Sequence, residues 1–101
     1  MSINAYPVID IKMGNVSFNL FRDGSLADFL DNEIQLYGRI HDGTGIIDIP
    51  VKILTKALRQ SEKLNLSEKT MKRLQSDVEH AKTSKDEIVT YYCFSGRRYL
   101  T

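Results

Sequence analysis

Residues 8–21 constrain the fold of this 101-residue chain more than any other part of the sequence. Apolar and polar side chains alternate there through two short runs, and Gly14-Asn15 stands between them. Alternation with a period of two is typical of a β-strand with one buried face, and glycine can take the positive φ that a two-residue type II′ turn requires. The segment therefore predicts an N-terminal β-hairpin. Its register places three apolar pairs on one face: Met13 with Val16, Ile11 with Phe18, and Ile9 with Leu20.

A first amphipathic helix is predicted over residues 25–39, with Ser25 as its N-cap. Acidic side chains in its early turns suit the positive end of the helix dipole. The glycine-containing residues 41–45 predict a loop, and residues 46–49 a short strand that Pro50 ends. The apolar positions of the helix predicted over residues 25–39 recur at helical spacing: Leu26, Phe29, Leu30, Ile34 and Tyr37.

Two further helices are predicted after this strand. Pro50 suits the first turn of the second helix, whose apolar positions continue towards Leu64. Asn65 then interrupts the pattern, and Ser67 is placed to cap a third helix that runs to about Lys82. The buried stripe predicted for the third helix consists of Met71, Leu74, Val78 and Ala81.

The C-terminal part predicts a strand over residues 87–94, rich in β-branched and aromatic side chains. Ser95-Gly96 would turn it into a short return strand over residues 97–100. The predicted fold is therefore α+β, with an N-terminal β-hairpin, three helices and a C-terminal strand or short hairpin. We expect that strand to join the first hairpin in one sheet covered by helices, with residues 1–101 forming a single domain, because a core of its own needs on the order of 100 residues.

Composition excludes several classes of protein. The hydrophobic share of 42% and the charged share of 27% are those of a folded globular chain. No apolar run approaches the roughly 20 residues that span a bilayer, and the N-terminus lacks the pattern of a signal peptide, so a cytoplasmic protein without membrane contact is expected. Cys93 has no second cysteine for a disulfide or a metal, and His41 and His80 form no ligand pair. We expect no cofactor, no metal and no catalytic activity.

Charge is distributed unevenly along the chain, although the formal net charge is only +1. Residues 1–50 carry three basic and seven acidic side chains, a net charge of −4. Residues 51–82 carry eight basic and four acidic side chains, a net charge of +4. Such asymmetry indicates either a nucleic-acid surface on the basic part or two complementary faces that help halves or subunits to dock.

One segment resembles a known family. Residues 64–74, Leu-Asn-Leu-Ser-Glu-Lys-Thr-Met-Lys-Arg-Leu, resemble the turn and recognition helix of bacterial helix-turn-helix regulators, and the element order from Ser25 onwards resembles that of a winged helix. The resemblance implies a DNA-binding regulator that acts as a dimer, because a single small module seldom binds tightly alone. Residues implied to face phosphates and base edges are Ser67, Lys69, Thr70, Lys72 and Arg73 on the helix and Arg97 and Arg98 on the wing.

The alternative class is a non-catalytic module that acts as a regulator or inhibitor by binding a protein partner. The chain has the general look of the small accessory and inhibitor proteins of phages and other mobile elements. Tyrosines and arginines near the C-terminus suit a protein interface, single-stranded nucleic acid or plain sheet packing, and these three readings stay open. We favour the protein-binding class. The residues expected to contact the partner are Asp28, Asp31 and Glu33 on the first helix and Tyr91 and Tyr99 near the C-terminus.

Overall fold

A computed structural model of the chain describes residues 3–9, 12–13, 16–41 and 44–94. This part confirms the α+β class: N-terminal strands are followed by three helices and a C-terminal strand. The predicted return strand over residues 97–100 lies outside the described residues. The helices are α1 (Gly24–Ile34), α2 (Val51–Arg59) and α3 (Glu68–Thr83). The strands are β1 (Asn4–Ile9), β2 (Lys12–Met13), β3 (Phe18–Asn19), β4 (Gly45–Pro50) and β5 (Ile88–Phe94).

One antiparallel sheet joins both ends of the described chain, in the strand order β2-β1-β5-β4. The strand β1 lies opposite β5, with Tyr6 facing Tyr92 across the pair. Along its other edge β5 pairs with β4, where Ile47 lies opposite Tyr91. The short strand β3 also pairs with β1. The expectation that the C-terminal strand joins the N-terminal strands in one sheet is therefore confirmed.

The register predicted for the N-terminal hairpin is wrong. Met13 pairs with Val8 instead of Val16, and Phe18 pairs with Ala5 instead of a residue in the first run. The predicted turn at Gly14-Asn15 lies outside the described residues. Both β2 and β3 pair with β1, whose opposite edge is held by β5 from the far end of the chain. Local alternation carries no information about that distant partner, so it could not locate the pairing.

Ser17 and Asn19, the polar residues of the predicted second strand, are buried rather than solvated. The Asn19 side-chain nitrogen donates to Oδ1 of Asn4 over 2.7 Å. The Oδ1 atom of Asn19 accepts the backbone N–H groups of Phe21 and Arg22, each over 2.9 Å. A buried amide with these partners loses little on leaving water, and it fixes the turn that leads into α1.

The starts of the helices agree with the prediction to different degrees. Ser67 caps α3, because its hydroxyl oxygen accepts the backbone N–H of Thr70 over 3.1 Å, as predicted. Pro50 stands at the N-cap of α2, one residue before the first turn where it was expected. The predicted Ser25 cap of α1 is wrong, because Asp23 occupies the cap position.

The end of α1 differs from the prediction by several residues. The helix stops at Ile34, since Gln35 takes a left-handed conformation with φ of 57°, and a 3₁₀ turn over Leu36–Arg39 follows. The left-handed residue shifts the helical register, so that Leu36 is buried and Tyr37 is 48% exposed. The expectation that Tyr37 belongs to the apolar stripe is therefore wrong.

The hydrophobic core lies between the helices and one face of the sheet. Phe18 and Tyr91 meet edge to face within it, with ring centroids 5.2 Å apart. Within the described residues, none of the helices is long and apolar enough to cross a membrane. Of the stripe predicted for α3, Leu74, Val78 and Ala81 are buried and Met71 is half-buried. Other fully buried members of the core are Leu26, Leu30, Leu36, Ile47, Ile49 and Leu54.

Candidate functional site

The basic residues expected to bind DNA lie in the first turns of α3. Lys69 and Lys72 are exposed, and Arg73 is half-buried. The Lys72 Nζ atom lies 3.2 Å from Oε1 of Glu68, whereas Lys69 and Arg73 form no ion pair within the part of the chain that the structure describes. Two cations of this helix are therefore left without a compensating carboxylate in contact. The wing residues Arg97 and Arg98 lie outside the described residues.

Thr70, which was expected to contact DNA, is almost fully buried, with only 1% of its surface exposed. Its hydroxyl accepts from the Ser67 hydroxyl over 3.1 Å and donates to Oδ1 of Asp23 over 3.3 Å. Ser67 itself is exposed, but its oxygen is occupied as the helix cap. Thr70 thus fastens α3 to the start of α1, with its hydroxyl engaged in these two hydrogen bonds.

A basic cleft of about 310 Å³ opens where α3 meets the N-terminal strands. Three cationic side chains line it, and Arg22, from the turn before α1, joins Lys69 and Arg73. Sequence reasoning missed Arg22, because nothing in the local pattern shows that this turn packs against the start of α3. The remaining lining residues are Asn4, Val16, Ser17 and Thr70.

A buried hydrogen-bond network beneath the cleft holds its two sides together. Oδ2 of Asp77 accepts the Ser17 hydroxyl over 2.6 Å and the Tyr91 hydroxyl over 2.7 Å. Burial raises the pKa of Asp77, although these two hydrogen bonds and the nearby Arg73 act in the opposite direction. Burial, followed by the charge of Asp77, raises the pKa of Tyr91 well above its ordinary value, so the phenol remains a donor. The network connects the residue before β3 with α3 and β5.

The acidic residues expected to contact a partner each have a partner within the molecule. Oδ1 of Asp28 accepts the Tyr37 hydroxyl, and Oδ1 of Asp31 accepts the Tyr37 backbone N–H, both over 2.9 Å. Oε1 of Glu33 lies 2.7 Å from Nζ of Lys56 on α2. Burial, together with the Asp28 carboxylate, raises the pKa of Tyr37 to about 12. These acids therefore stabilise the end of α1 and its contact with α2.

Tyr91, the aromatic residue expected at the interface, is fully buried, so that expectation is wrong. Tyr99 lies outside the described residues. Cys93 is buried, and burial raises the pKa of its thiol to about 12, which keeps it protonated at neutral pH. His41 and His80 are exposed. The described residues contain no cluster of three or more histidine, cysteine or acidic side chains that could hold a metal ion.

One face of the sheet is left uncovered by the helices. Along β4, Ile47 and Ile49 point into the core, whereas Ile46 is 64% exposed. Along β5, Tyr91 is buried and Ile88 is 45% exposed. Because successive side chains of a strand point to opposite faces, the alternate residues of β1, β4 and β5 share one surface. This surface, called the open face below, consists of Tyr6, Val8, Ile46, Asp48, Ile88, Thr90 and Tyr92.

A cross-strand row runs through the middle of the open face. Tyr6 lies opposite Tyr92, and Tyr92 lies opposite Ile46 on the edge strand. Beside this row, Oδ1 of Asp48 accepts the Thr90 hydroxyl over 2.6 Å. Sequence analysis predicted the strands of Ile46 and Tyr92 but not that of Tyr6, and it could not tell which of the two faces the helices would cover. The open face was consequently not among the predicted sites.

A comparison of the chain with protein-family models, with curated proteins and with solved structures finds no match.

Proposed function

We propose that this protein is a non-catalytic binding module that docks onto a protein partner through its open face. The observation that carries the proposal is the row Tyr6–Tyr92–Ile46, whose outer member is an isoleucine with most of its surface in water. Exposed aliphatic side chains that lie together beside tyrosines are typical of protein interfaces. The expected regulator or inhibitor role agrees with such a surface.

Burial of the open face would supply useful binding energy. Each large apolar side chain that leaves water stabilises a complex by roughly 1.5–3 kcal/mol, and tyrosines are enriched among the residues that dominate interface energetics. The strands are already held on both sides of β5, so little backbone ordering opposes binding. A preformed, partly apolar sheet face therefore suits a stable complex.

Charge around the open face defines the chemistry of the partner. Asp48 lies within the face, and Asp86 and Glu87, both exposed, directly precede Ile88. An apolar surface with acidic neighbours is complementary to an apolar surface flanked by lysine or arginine. We therefore propose a partner that presents an apolar patch with a basic rim.

The single buried thiol of Cys93 is compatible with a reducing compartment, and we place this binding in the cytoplasm.

The experiment compares two exposed apolar residues of similar accessibility. Ile46→Ser removes a side chain from the open face, while the matched control Phe21→Ser removes a 60% exposed side chain outside it. Proteins captured from a host lysate by the wild type are identified and purified, and their affinity for each variant is measured by calorimetry. We expect Ile46→Ser to weaken binding about tenfold or more and Phe21→Ser to leave it unchanged.

Two results would contradict the proposal. Equal affinity of wild type and Ile46→Ser for the purified partner would show that the open face is not the interface. Light scattering of the purified protein gives the second result: a dimer that Ile46→Ser dissociates would assign the open face to a second copy of this chain.

A further inference from the structure

The basic cleft is built by two parts of the chain that are far apart in sequence. Arg22 comes from the turn before α1, and Lys69 and Arg73 come from α3. The hydrogen bonds from Thr70 to Asp23 and from Ser17 to Asp77 join these parts across 47 and 60 residues. Because both bonds are buried, the fold fixes the backbone positions that carry the three cations.

Positive charge in the cleft is not balanced by the residues that line it. None of the described lining residues is an Asp or a Glu. Asp23 lies 3.5 Å from the Arg22 guanidinium, but its two oxygens already accept the Asn19 backbone N–H and the Thr70 hydroxyl. With Asp23 counted, three cations and one carboxylate leave a net charge of +2, and the buried Asp77 near Arg73 offsets part of it, so the cleft stays positive. A guanidinium that is mostly exposed keeps several donors for an anion.

The start of α3 adds to the same field. Lys69 lies in the first turn of the helix, where the positive end of the helix dipole favours an anionic ligand. Arginine donors arranged about a small cleft match the oxygens of a phosphate group, and a volume of about 310 Å³ accommodates one. An anion in the cleft would therefore meet cations from both sides.

From this arrangement we infer that the basic cleft binds the phosphodiester backbone of a nucleic acid, separately from the open face and independently of the proposed partner. A polymer is favoured over a single phosphate because positive charge continues outside the cleft. Lys72 is exposed on the next turn of α3, where it pairs with Glu68, and residues 51–82 as a whole carry a net charge of +4. Consecutive phosphates along a strand can engage such a surface together.

The test measures fluorescence anisotropy of a labelled random-sequence DNA duplex of about 20 base pairs, at several salt concentrations between about 50 and 200 mM. The wild type is expected to bind with an affinity that falls as salt rises. Arg22→Ala, Lys69→Ala and Arg73→Ala should each lower the slope of log affinity against log salt by about 1. The matched controls Lys52→Ala and Lys85→Ala remove exposed lysines outside the cleft and should leave the slope unchanged.

Arg22→Ala is the decisive variant, because a basic helix acting alone would not need a residue from another element. Retention of the wild-type slope by this variant would overturn the inference, as would the absence of duplex binding at the lowest salt. Direct binding of a labelled phosphopeptide without any binding of the duplex would also overturn it, since the ligand would then be a phosphoprotein. Ile46→Ser should leave duplex binding unchanged, so that failure of this site and failure of the open face can be told apart.

Discussion

At the scale of single residues, Asp77 is a carboxyl group whose pKa is raised by burial in the fold. It is buried on α3 and accepts both of its short hydrogen bonds on one oxygen. A buried charge is costly, but two hydroxyl donors offset part of that cost. The same side chain lies under the wall of the basic cleft formed by Ser17. Its substitution therefore tests the packing that supports the cleft.

We expect Asp77→Asn to keep the stability of the wild type at neutral pH and Asp77→Ala to lose roughly 2–4 kcal/mol. The asparagine oxygen can still accept from the Ser17 and Tyr91 hydroxyls, whereas alanine leaves both donors buried without a partner. Chemical denaturation at neutral pH measures the difference. Equal losses for the two variants would show that the carboxylate charge, and not the acceptor, is needed.

The pH dependence of stability has a definite sign at this residue. Burial raises the pKa of Asp77 in the folded protein above its unfolded value, so the folded state holds the proton more tightly. This contribution is fully present below the unfolded pKa and is lost as pH rises through the folded pKa. The free energy of unfolding of Asp77→Asn should lack this decline, and a series of denaturation curves across the acidic range tests it.

Lys85, two residues after the end of α3, has a backbone conformation that favours glycine. Its φ is 60°, its backbone N–H donates to the Lys82 carbonyl, and the N–H of Asp86 donates to the Ala81 carbonyl. This pair of hydrogen bonds is the Schellman arrangement, in which the left-handed residue is usually glycine. We expect Lys85→Gly to raise the free energy of unfolding by about 0.5–1 kcal/mol. The control Lys82→Gly, inside the helix, should lower it by a similar amount, and thermal denaturation measures both.

At the scale of elements, the edge strand β4 is set by its contact with the 3₁₀ turn. A Cβ atom at Gly45, the first residue of β4, would overlap the carbonyl oxygen of Arg39. The strand can therefore start beside the turn only if this position carries no side chain. The contact also holds the end of β4 that bears Ile46 and the open face.

We expect Gly45→Ala to lower the free energy of unfolding by about 1–3 kcal/mol, because the strand or the turn must shift to admit the methyl group. Gly38→Ala is the matched control, since nothing lies within 4 Å of a Cβ at that position. It should be neutral or stabilising by up to about 1 kcal/mol. If urea denaturation shows equal midpoints for the two variants, the contact between β4 and the turn is not tight.

At the scale of the whole molecule, the acidic and basic parts of the chain are not held together by many ion pairs. Among the described residues, Glu33 and Lys56 form the ion pair that crosses from residues 1–50 to residues 51–82. The other two ion pairs do not cross between the parts: Arg22–Asp23 lies within residues 1–50, and Lys72–Glu68 lies within residues 51–82. The uneven charge therefore remains available at the surface. This favours a role in binding other molecules over a role in docking the two parts of the chain together.

Thermal stability should consequently depend little on salt. Surface ion pairs contribute about 0–1 kcal/mol each, so the Tm is expected to change by only a few degrees between about 0.05 and 0.5 M sodium chloride. Duplex binding at the basic cleft should weaken steeply over the lower part of the same range. Calorimetric Tm values and anisotropy titrations in the same buffers compare the two. A large fall in Tm would show that the two parts dock through charge.

The sequence by itself determined the features that depend on near neighbours in the chain. The cap at Ser67, the helical stripe of Leu74 and Val78, and the strand that contains Tyr91 follow from side-chain period and from local hydrogen bonding. These preferences act within a few residues, so a linear pattern records them. The α+β class and most of the helix positions could be predicted for this reason.

Only the tertiary structure decided which distant groups meet. The pairing of β1 with β5, the burial of Ser17 and Asp77, and the approach of Arg22 to α3 arise from packing between elements far apart in sequence. The choice of sheet face covered by the helices left Ile46 in water and took Tyr91 into the core. Alternation along a strand defines two faces but does not say which one is covered, because that depends on what packs against it.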